Sequence, residues 1–208
     1  MARLAIFGCG GMGRELADIA LARLAAGPDP GWSELVFVDD EAFPPIQGIA
    51  VIAPEALRPD DRLCLALGNC ATRRRVAERF PDQPVTGLQA VSALVSPHAT
   101  LGEGAILCDY VAVNNGARIG RHFLANLFCH VSHDCVIGDY VTLSPRVSVN
   151  GNVRIEDGVF VGAGAVIRHG LPEKPLVIGA GAVIGMGAVV VGDVPAGATM
   201  MGVPARPV

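Results

Sequence analysis

A small α/β domain followed by a triangular β-solenoid is the fold class that this sequence predicts, on three observations. The first is a strict six-residue period, with aliphatic residues at Val95, Leu101, Leu107, Val113, Ile119, Val131, Ile137, Leu143, Val149, Ile155, Val161 and Ile167, and one lapse to Ala125. The second is an apolar companion two residues upstream of each member from Leu101 onward: Ala99, Ala105, Val111, Ala117, Phe123, Cys129, Cys135, Val141, Val147, Val153, Val159 and Ala165. The third is a strand, glycine turn and helix pattern at the start of the chain. Two apolar positions separated by one residue describe a short strand with one buried face. A helix does not keep a period of six, because 3.6 does not divide it, and hairpins do not repeat so regularly; a hexapeptide solenoid does. Each hexad is then one flat side of a coil, residues 18 apart stack, and the inward pair fills a narrow core. Gly102, Gly120, Gly138 and Gly162 each follow a repeat aliphatic, where a corner is turned at least cost without a Cβ.

Taken in order, Leu4-Ala5-Ile6-Phe7 is a short buried strand. It runs into Gly8-Cys9-Gly10-Gly11-Met12-Gly13, and residues 14–25 have helical periodicity. Glycines there let a ligand approach the backbone, and the helix N-terminus offers free N–H groups to phosphate oxygens. Gly27-Pro28-Asp29-Pro30 ends the helix, and Leu35-Val36-Phe37-Val38 forms a second strand finishing at the acidic pair Asp39-Asp40, which suits a ribose or base contact. A Pro-interrupted stretch over 47–62 precedes a third strand, Leu63-Cys64-Leu65-Ala66-Leu67, closed by Gly68-Asn69. Residues 71–80 form a helix carrying Arg73, Arg74, Arg75 and Arg79; Arg73, near its start, is the one placed to reach a phosphate. A dinucleotide fold needs about two such halves, so a mononucleotide half fits the length better than NAD. The division expected is an α/β Rossmann-like mononucleotide-binding domain over 1–90 and a solenoid over 91–208, with its repeat starting at about Val95. The phase breaks after Ile167 and resumes at Ile178, Ile184 and Val190, so 169–175 is a loop, the kind of place where function is added.

The composition, 51% apolar with a net charge of −4 and pI near 5.7, supplies a core and argues against a nucleic-acid or anionic-membrane surface. No apolar run reaches membrane-spanning length, and Met1-Ala2-Arg3 leads straight into a strand, so a soluble cytoplasmic protein is expected. The six cysteines follow no framework spacing and are expected as reduced core residues.

The glycine turn with Arg14 and Glu15, Asp39-Asp40, Gly68-Asn69, the repeat array with Asn126 and His133-Asp134-Cys135-Val136-Ile137-Gly138, and the ending Gly202-Val203-Pro204-Ala205 together resemble one family. It is the sugar O/N-acetyltransferases of the sialic-acid acetyltransferase type, including bacillosamine-pathway and perosamine N-acetyltransferases. The resemblance implies a left-handed parallel β-helix, a homotrimer, and acetyl-CoA bound between neighbouring helices; no metal is expected, on the register of the repeat. It also implies that the N-terminal domain binds the nucleotide of a nucleotide-activated amino sugar, which brings in Gly10, Gly11, Met12, Gly13, Asp39, Asp40, Asn69 and Arg73. By the same resemblance His133 is the general base, Asp134 assists it, Asn126 lies near the acceptor amine, and Thr142, Gly151, Gly162, Ala163 and Met186 line the acetyl-CoA cleft. Met12 and Thr142 stand where the family often has histidine.

Read from the residues, His133 suits this chemistry, and it is preferred to its rival chiefly on the family resemblance. Acetyl transfer to an amine needs a neutral nucleophile, removal of its proton, and donors for the oxyanion. His133 lies outside the inward series and projects from the coil. His130 does too and is the rival base, its other role being a polar contact at a subunit interface, while His98, His122 and His169 read as surface residues. Cys129, His130, His133 and Cys135 together look like a zinc cluster of the carbonic-anhydrase-like solenoids, but the repeat points the cysteines inward and the histidines outward, so the four do not converge on one tetrahedral ion. O-acetylation of a sialic-acid-like sugar is the closest competitor, since the same base activates a hydroxyl. A non-catalytic nucleotide-binding scaffold is disfavoured by an exposed His-Asp pair.

Overall fold

The computed structural model describes residues 2–27 and 30–208. Met1 of the leading tripeptide and Pro28 and Asp29 of the expected helix stop lie outside the described residues. Strand β1 (Arg3–Phe7), helix α1 (Gly11–Ala26), β2 (Glu34–Val38), β3 (Val51–Ile52), β4 (Arg62–Leu65) and α2 (Cys70–Arg79) build the first domain. Its sheet is parallel, in the order β3-β2-β1-β4. Every residue of β1 is buried, which is why that strand reads as a continuous apolar run. The edge strand β3 and a 3₁₀ turn at Pro54–Ala56 fall in the stretch read as Pro-interrupted loop; two residues are too few to print a period.

The rest of the chain winds into three parallel sheets. Face 1 stacks the strands at Leu88–Gln89, Ile106–Leu107, Leu124–Ala125, Thr142–Leu143, Phe160–Val161, Val183–Ile184 and Thr199–Met201. Face 2 begins at Leu94–Val95 and runs through His130–Val131 to Val189–Val190, and face 3 begins at Thr100–Leu101 and ends at Leu176–Ile178. Strand partners differ by 18 residues, as in Leu124 with Thr142. From Leu107 onward both expected apolar series are buried. Leu101 is 37% exposed because its strand is the first of face 3 and has no coil beneath it. The solenoid starts at Leu88, ahead of Val95, since Gln89 occupies the repeat position and hides the first hexad.

A left-handed residue recurs every sixth position, from Gly104 and Tyr110 through Asp134 to Gly164, and marks the corners. The repeat glycines do a different job from the expected one. A Cβ on Gly102 would stand 2.5 Å from the backbone of Gly120, one on Gly120 equally close to Gly138, and one on Gly162 2.5 Å from Met186 N. Close stacking of coils therefore excludes a side chain there, two residues before the corner itself. At the phase break Arg154 pairs with Val177, and the extra residues form a loop closed by the Leu171 and Lys174 bridge.

The first domain sits on face 1. Leu16, Ile19 and Ala20 of α1 join Leu88, Ile106 and Leu124 in one continuous core. The cover extends around the corner between faces 3 and 1, so His122, read as a surface residue, is only 6% exposed and stacks on Tyr140 at 4.9 Å. Burial and the nearby Arg73 cation push its pKa below the usual histidine value of about 6.5. The unfolded chain thus binds the proton more readily, and stability falls as pH drops below about 6.5 towards the folded value. Thermal midpoints followed from about pH 7.5 to 5 should show this loss. His122→Asn, which tolerates the left-handed corner, should remove that part of it.

All six cysteines are free and buried. Desolvation pushes Cys64 and Cys108 up to about 12 and Cys129 and Cys135 up to about 11. No helix among the described residues is long and apolar enough to cross a membrane.

Candidate active site

The carboxyl ends of β2, β1 and β4 lie side by side, at the crevice position where a parallel sheet usually binds its ligand. Gly8 takes φ +96° as β1 ends, and α1 starts at Gly11 behind an N-cap, Gly10, that makes no side-chain capping bond. A Cβ at Gly10 or Gly11 would meet nothing within 4 Å, so both face open space, whereas one at Gly13 would collide with the Gly8 carbonyl oxygen. Gly10 and Gly11 thus keep the crevice open, and Gly13 lets α1 pack onto β1. Met12 is half-buried against the core. Asn69 caps α2, its Oδ1 accepting from the Thr72 N–H at 2.8 Å.

Asp39 lies in the crevice with its Oδ2 accepting from the Cys9 N–H (3.1 Å) and thiol (3.2 Å) and its Oδ1 from the Glu41 N–H (3.2 Å). Burial opposes its ionisation, and these bonds outweigh burial and hold its carboxyl below the usual range. Burial and the same carboxylate push the Cys9 thiol up to about 11. Asp40 does not share the crevice as a pair with Asp39; it turns to Arg79 at 2.5 Å on the surface.

Arg73 is not at a phosphate site. It is fully buried, and its guanidinium donates to the carbonyls of Leu67, His122 (2.9 Å), Tyr140 (3.0 Å) and Val141 (3.2 Å) and to the Thr142 hydroxyl (2.9 Å). Thr142 is 3% exposed and donates in turn to the Gly68 carbonyl at 2.9 Å. It lies under the first domain on face 1, so it lines no open cleft. The arginine run reads as a solvated face, yet Cys70, Arg73 and Ala77 share one helical side by spacing, a signal that pointed inward.

His133 and Asp134 follow the face 2 strand His130–Val131 and precede the face 3 strand Val136–Ile137, so they form the corner between those faces. The Nδ1 of His133 and Oδ2 of Asp134 are 2.9 Å apart, both side chains more than 60% exposed. A carboxylate only accepts, so in the neutral ring Nδ1 is the donor and Nε2 carries the lone pair. Asp134 reaches back to its neighbour because it takes the left-handed conformation, φ +56°, over Gly116. On the next coil Gly151 makes room for the ring: a Cβ there would be 2.6 Å from Cε1 and Nε2 of His133. His130 stands on the flat of face 2, half-buried, and burial lowers its pKa. The Cys129 and Cys135 thiols point into the core and donate to the Ser144 (2.9 Å) and Asn150 (3.1 Å) carbonyls, away from both histidines.

Asn126, Gly162, Ala163 and Met186 fall on a different corner, between faces 1 and 2; Gly187 N donates to the Ala163 carbonyl there, and Met186 is 81% exposed. Within one chain the structure therefore brings His133, Asp134 and Gly151 together and leaves the other expected cleft residues one face away. The crevice lies on another side again, because the first domain sits on face 1 and the His133 corner is the one opposite that face.

A parallel β-helix with an oriented surface histidine and an appended nucleotide-type crevice defines a hexapeptide-repeat acyltransferase. Residues 3–80 match the PglD N-terminal domain and residues 134–169 the bacterial transferase hexapeptide, six repeats. The chain is 41% identical over 209 residues to a GDP-perosamine N-acetyltransferase of Escherichia coli O157:H7, covering 97% of this chain and 94% of that one. The solved structure of WeeI from Acinetobacter baumannii AYE superposes with a TM-score of 0.93 at 33% identity over the full length of both chains. That of PerB from Caulobacter crescentus, in complex with CoA and GDP-perosamine, gives 0.84 at 27% identity over 100% of this chain and 97% of the other. The chain belongs to the family of sugar acetyltransferases that join a PglD-type N-terminal domain to a left-handed hexapeptide β-helix.

Proposed function

We propose that this enzyme transfers the acetyl group of acetyl-CoA to the amine of a nucleotide-linked 4-amino-dideoxy sugar, with GDP as the nucleotide. The observation that carries the reading is the His133 and Asp134 pair, exposed at a corner of the coil with His133 Nδ1 held by Asp134 Oδ2. In the reaction the sugar nitrogen attacks the thioester carbonyl while His133 Nε2 takes its proton; Asp134 steadies the resulting imidazolium, the C–S bond breaks, and the CoA thiolate leaves. The relative that acts on GDP-perosamine and the neighbour that holds CoA with GDP-perosamine supply the sugar class. Acetyl-CoA, nucleotide sugars and six reduced thiols fit a cytoplasmic setting.

The same reading needs a homotrimer. With the crevice on face 1 and the base on the opposite corner, this reading pairs the crevice of one protomer with the histidine of the next. Face 2 suits the contact: its outward residues are Leu94, Ala112, His130, Ser148, Val166 and Val189, with no Lys, Arg, Asp or Glu, and Leu94 is 72% exposed. The adjoining corner adds exposed Tyr110, Phe128 and Met186. Face 3 instead presents Arg118 and Arg154. Apolar, charge-poor surface of this extent marks a protein interface.

Initial rates of CoA release against GDP-, UDP-, dTDP- and CMP-linked 4-amino sugars and their 4-hydroxy counterparts test the substrate. A GDP-linked amino sugar should be turned over fastest. Preference for a hydroxy sugar would make the enzyme an O-acetyltransferase and refute the reading.

A further inference from the structure

Among the described residues the largest fully buried side chain is a cation, and none of its hydrogen-bond partners there is a carboxylate. Burying a guanidinium costs several kcal/mol unless its donors are satisfied, so a buried Arg73 needs its full set of partners. These come from both domains. The carbonyls of Leu67 and Gly68 belong to the turn between β4 and α2; the carbonyls of His122, Tyr140 and Val141 and the Thr142 hydroxyl belong to the solenoid. Thr142 closes the same junction by donating to Gly68, and the Cys70 thiol lies 3.4 Å from the Thr142 hydroxyl.

The turn so fixed is one wall of the crevice. Gly68 faces open space, Asn69 beside it caps α2, and Gly8 of the glycine turn packs within 3.3 Å, by its absent Cβ, of the Ala66 carbonyl and the Leu67 side chain. We propose, resting on the function given above, that Arg73 is a positioning residue for the nucleotide sugar: it locks the 67–69 wall of the crevice to the solenoid and so sets where the sugar amine arrives. It touches no substrate. Its action passes through the Leu67 and Gly68 carbonyls and the start of α2. A misplacement of about 1 Å can cost on the order of 100-fold in rate, so a loosened wall should show in sugar binding and turnover.

Arg73→Lys keeps the charge but not the fork of donors that reaches both domains. The expected result is a rise of about tenfold in both the KM for the nucleotide sugar and the Kd for GDP, read by calorimetry, with the KM for acetyl-CoA unchanged. Thr142→Val leaves the arginine in place, removes its hydroxyl partner and the bond to Gly68, and should move the same two constants by a smaller factor; Thr142→Ser should restore them. A purely structural Arg73 would lower the thermal midpoint and leave these constants at wild-type values in folded protein, and that result overturns the proposal. If Arg73→Lys does not fold, wild-type constants in Thr142→Val overturn it equally. Wild-type enzyme that fails to acetylate any amino sugar would refute the functional reading instead, while the GDP titrations would still decide the role of Arg73.

Discussion

His133→Asn should lower the rate of acetyl transfer by about 10²- to 10⁴-fold, the usual worth of a positioned general base, with the KM of both substrates within about twofold of wild type. The side chain is 61% exposed and sits on a corner, so its replacement opens no cavity and leaves the coil intact. Asparagine keeps a polar group over Gly151 and beside Asp134 but has no lone pair basic enough to take the amine proton. His130→Asn, by contrast, should leave the chemical step near wild type, because that histidine lies on the flat of face 2 and its protonation is already disfavoured by burial. Steady-state rates of the two variants side by side check the assignment, and a His133→Asn enzyme with near wild-type turnover would move the role to His130.

The second large effect is expected at the crevice. Gly11 opens α1, and a side chain there projects into free space. Gly11→Trp should therefore fold at least as well as wild type, since glycine costs a helix roughly 1 kcal/mol relative to better formers. The indole would fill the space where phosphates meet the helix N-terminus. Affinity for the nucleotide sugar should fall by about 100-fold, while acetyl-CoA affinity should stay within about twofold, as the proposed cleft on the solenoid requires. Calorimetric titration with each ligand separates the two, and equal loss of both would mean that the crevice has another role.

The parts of this molecule that repeat, or that obey a local rule, were legible before the structure. The six-residue period named the inward side chains from Leu107 to Ile167 almost without error, and the glycine turn located the crevice. What escaped depends on where two domains meet. His122 and Thr142 are polar residues at outward positions of the solenoid and Arg73 lies on helix α2, and only the packing of the first domain on face 1 buries all three. Short range also hid β3 and the first coil, whose repeat position holds Gln89. The separation of Asn126 from His133 was within reach: Asn126 shares the 18-residue register of Gly162, and His133 that of Gly151, which already puts the two sets on different corners.

That separation makes the most direct test a mixing experiment. His133→Asn protein retains its crevice and Gly11→Trp protein retains its base, and each alone should be nearly inactive with the nucleotide sugar held at or below its wild-type KM. Co-expressed and randomly assembled into trimers with the head-to-tail contact of a ring, about a quarter of the sites would combine an intact crevice with an intact histidine from the neighbour. Activity per site should then return to about a quarter of wild type, well above either parent. If the mixed protein forms trimers and shows no more than the average of its two parents, crevice and base act within one chain, and the shared-site account is contradicted.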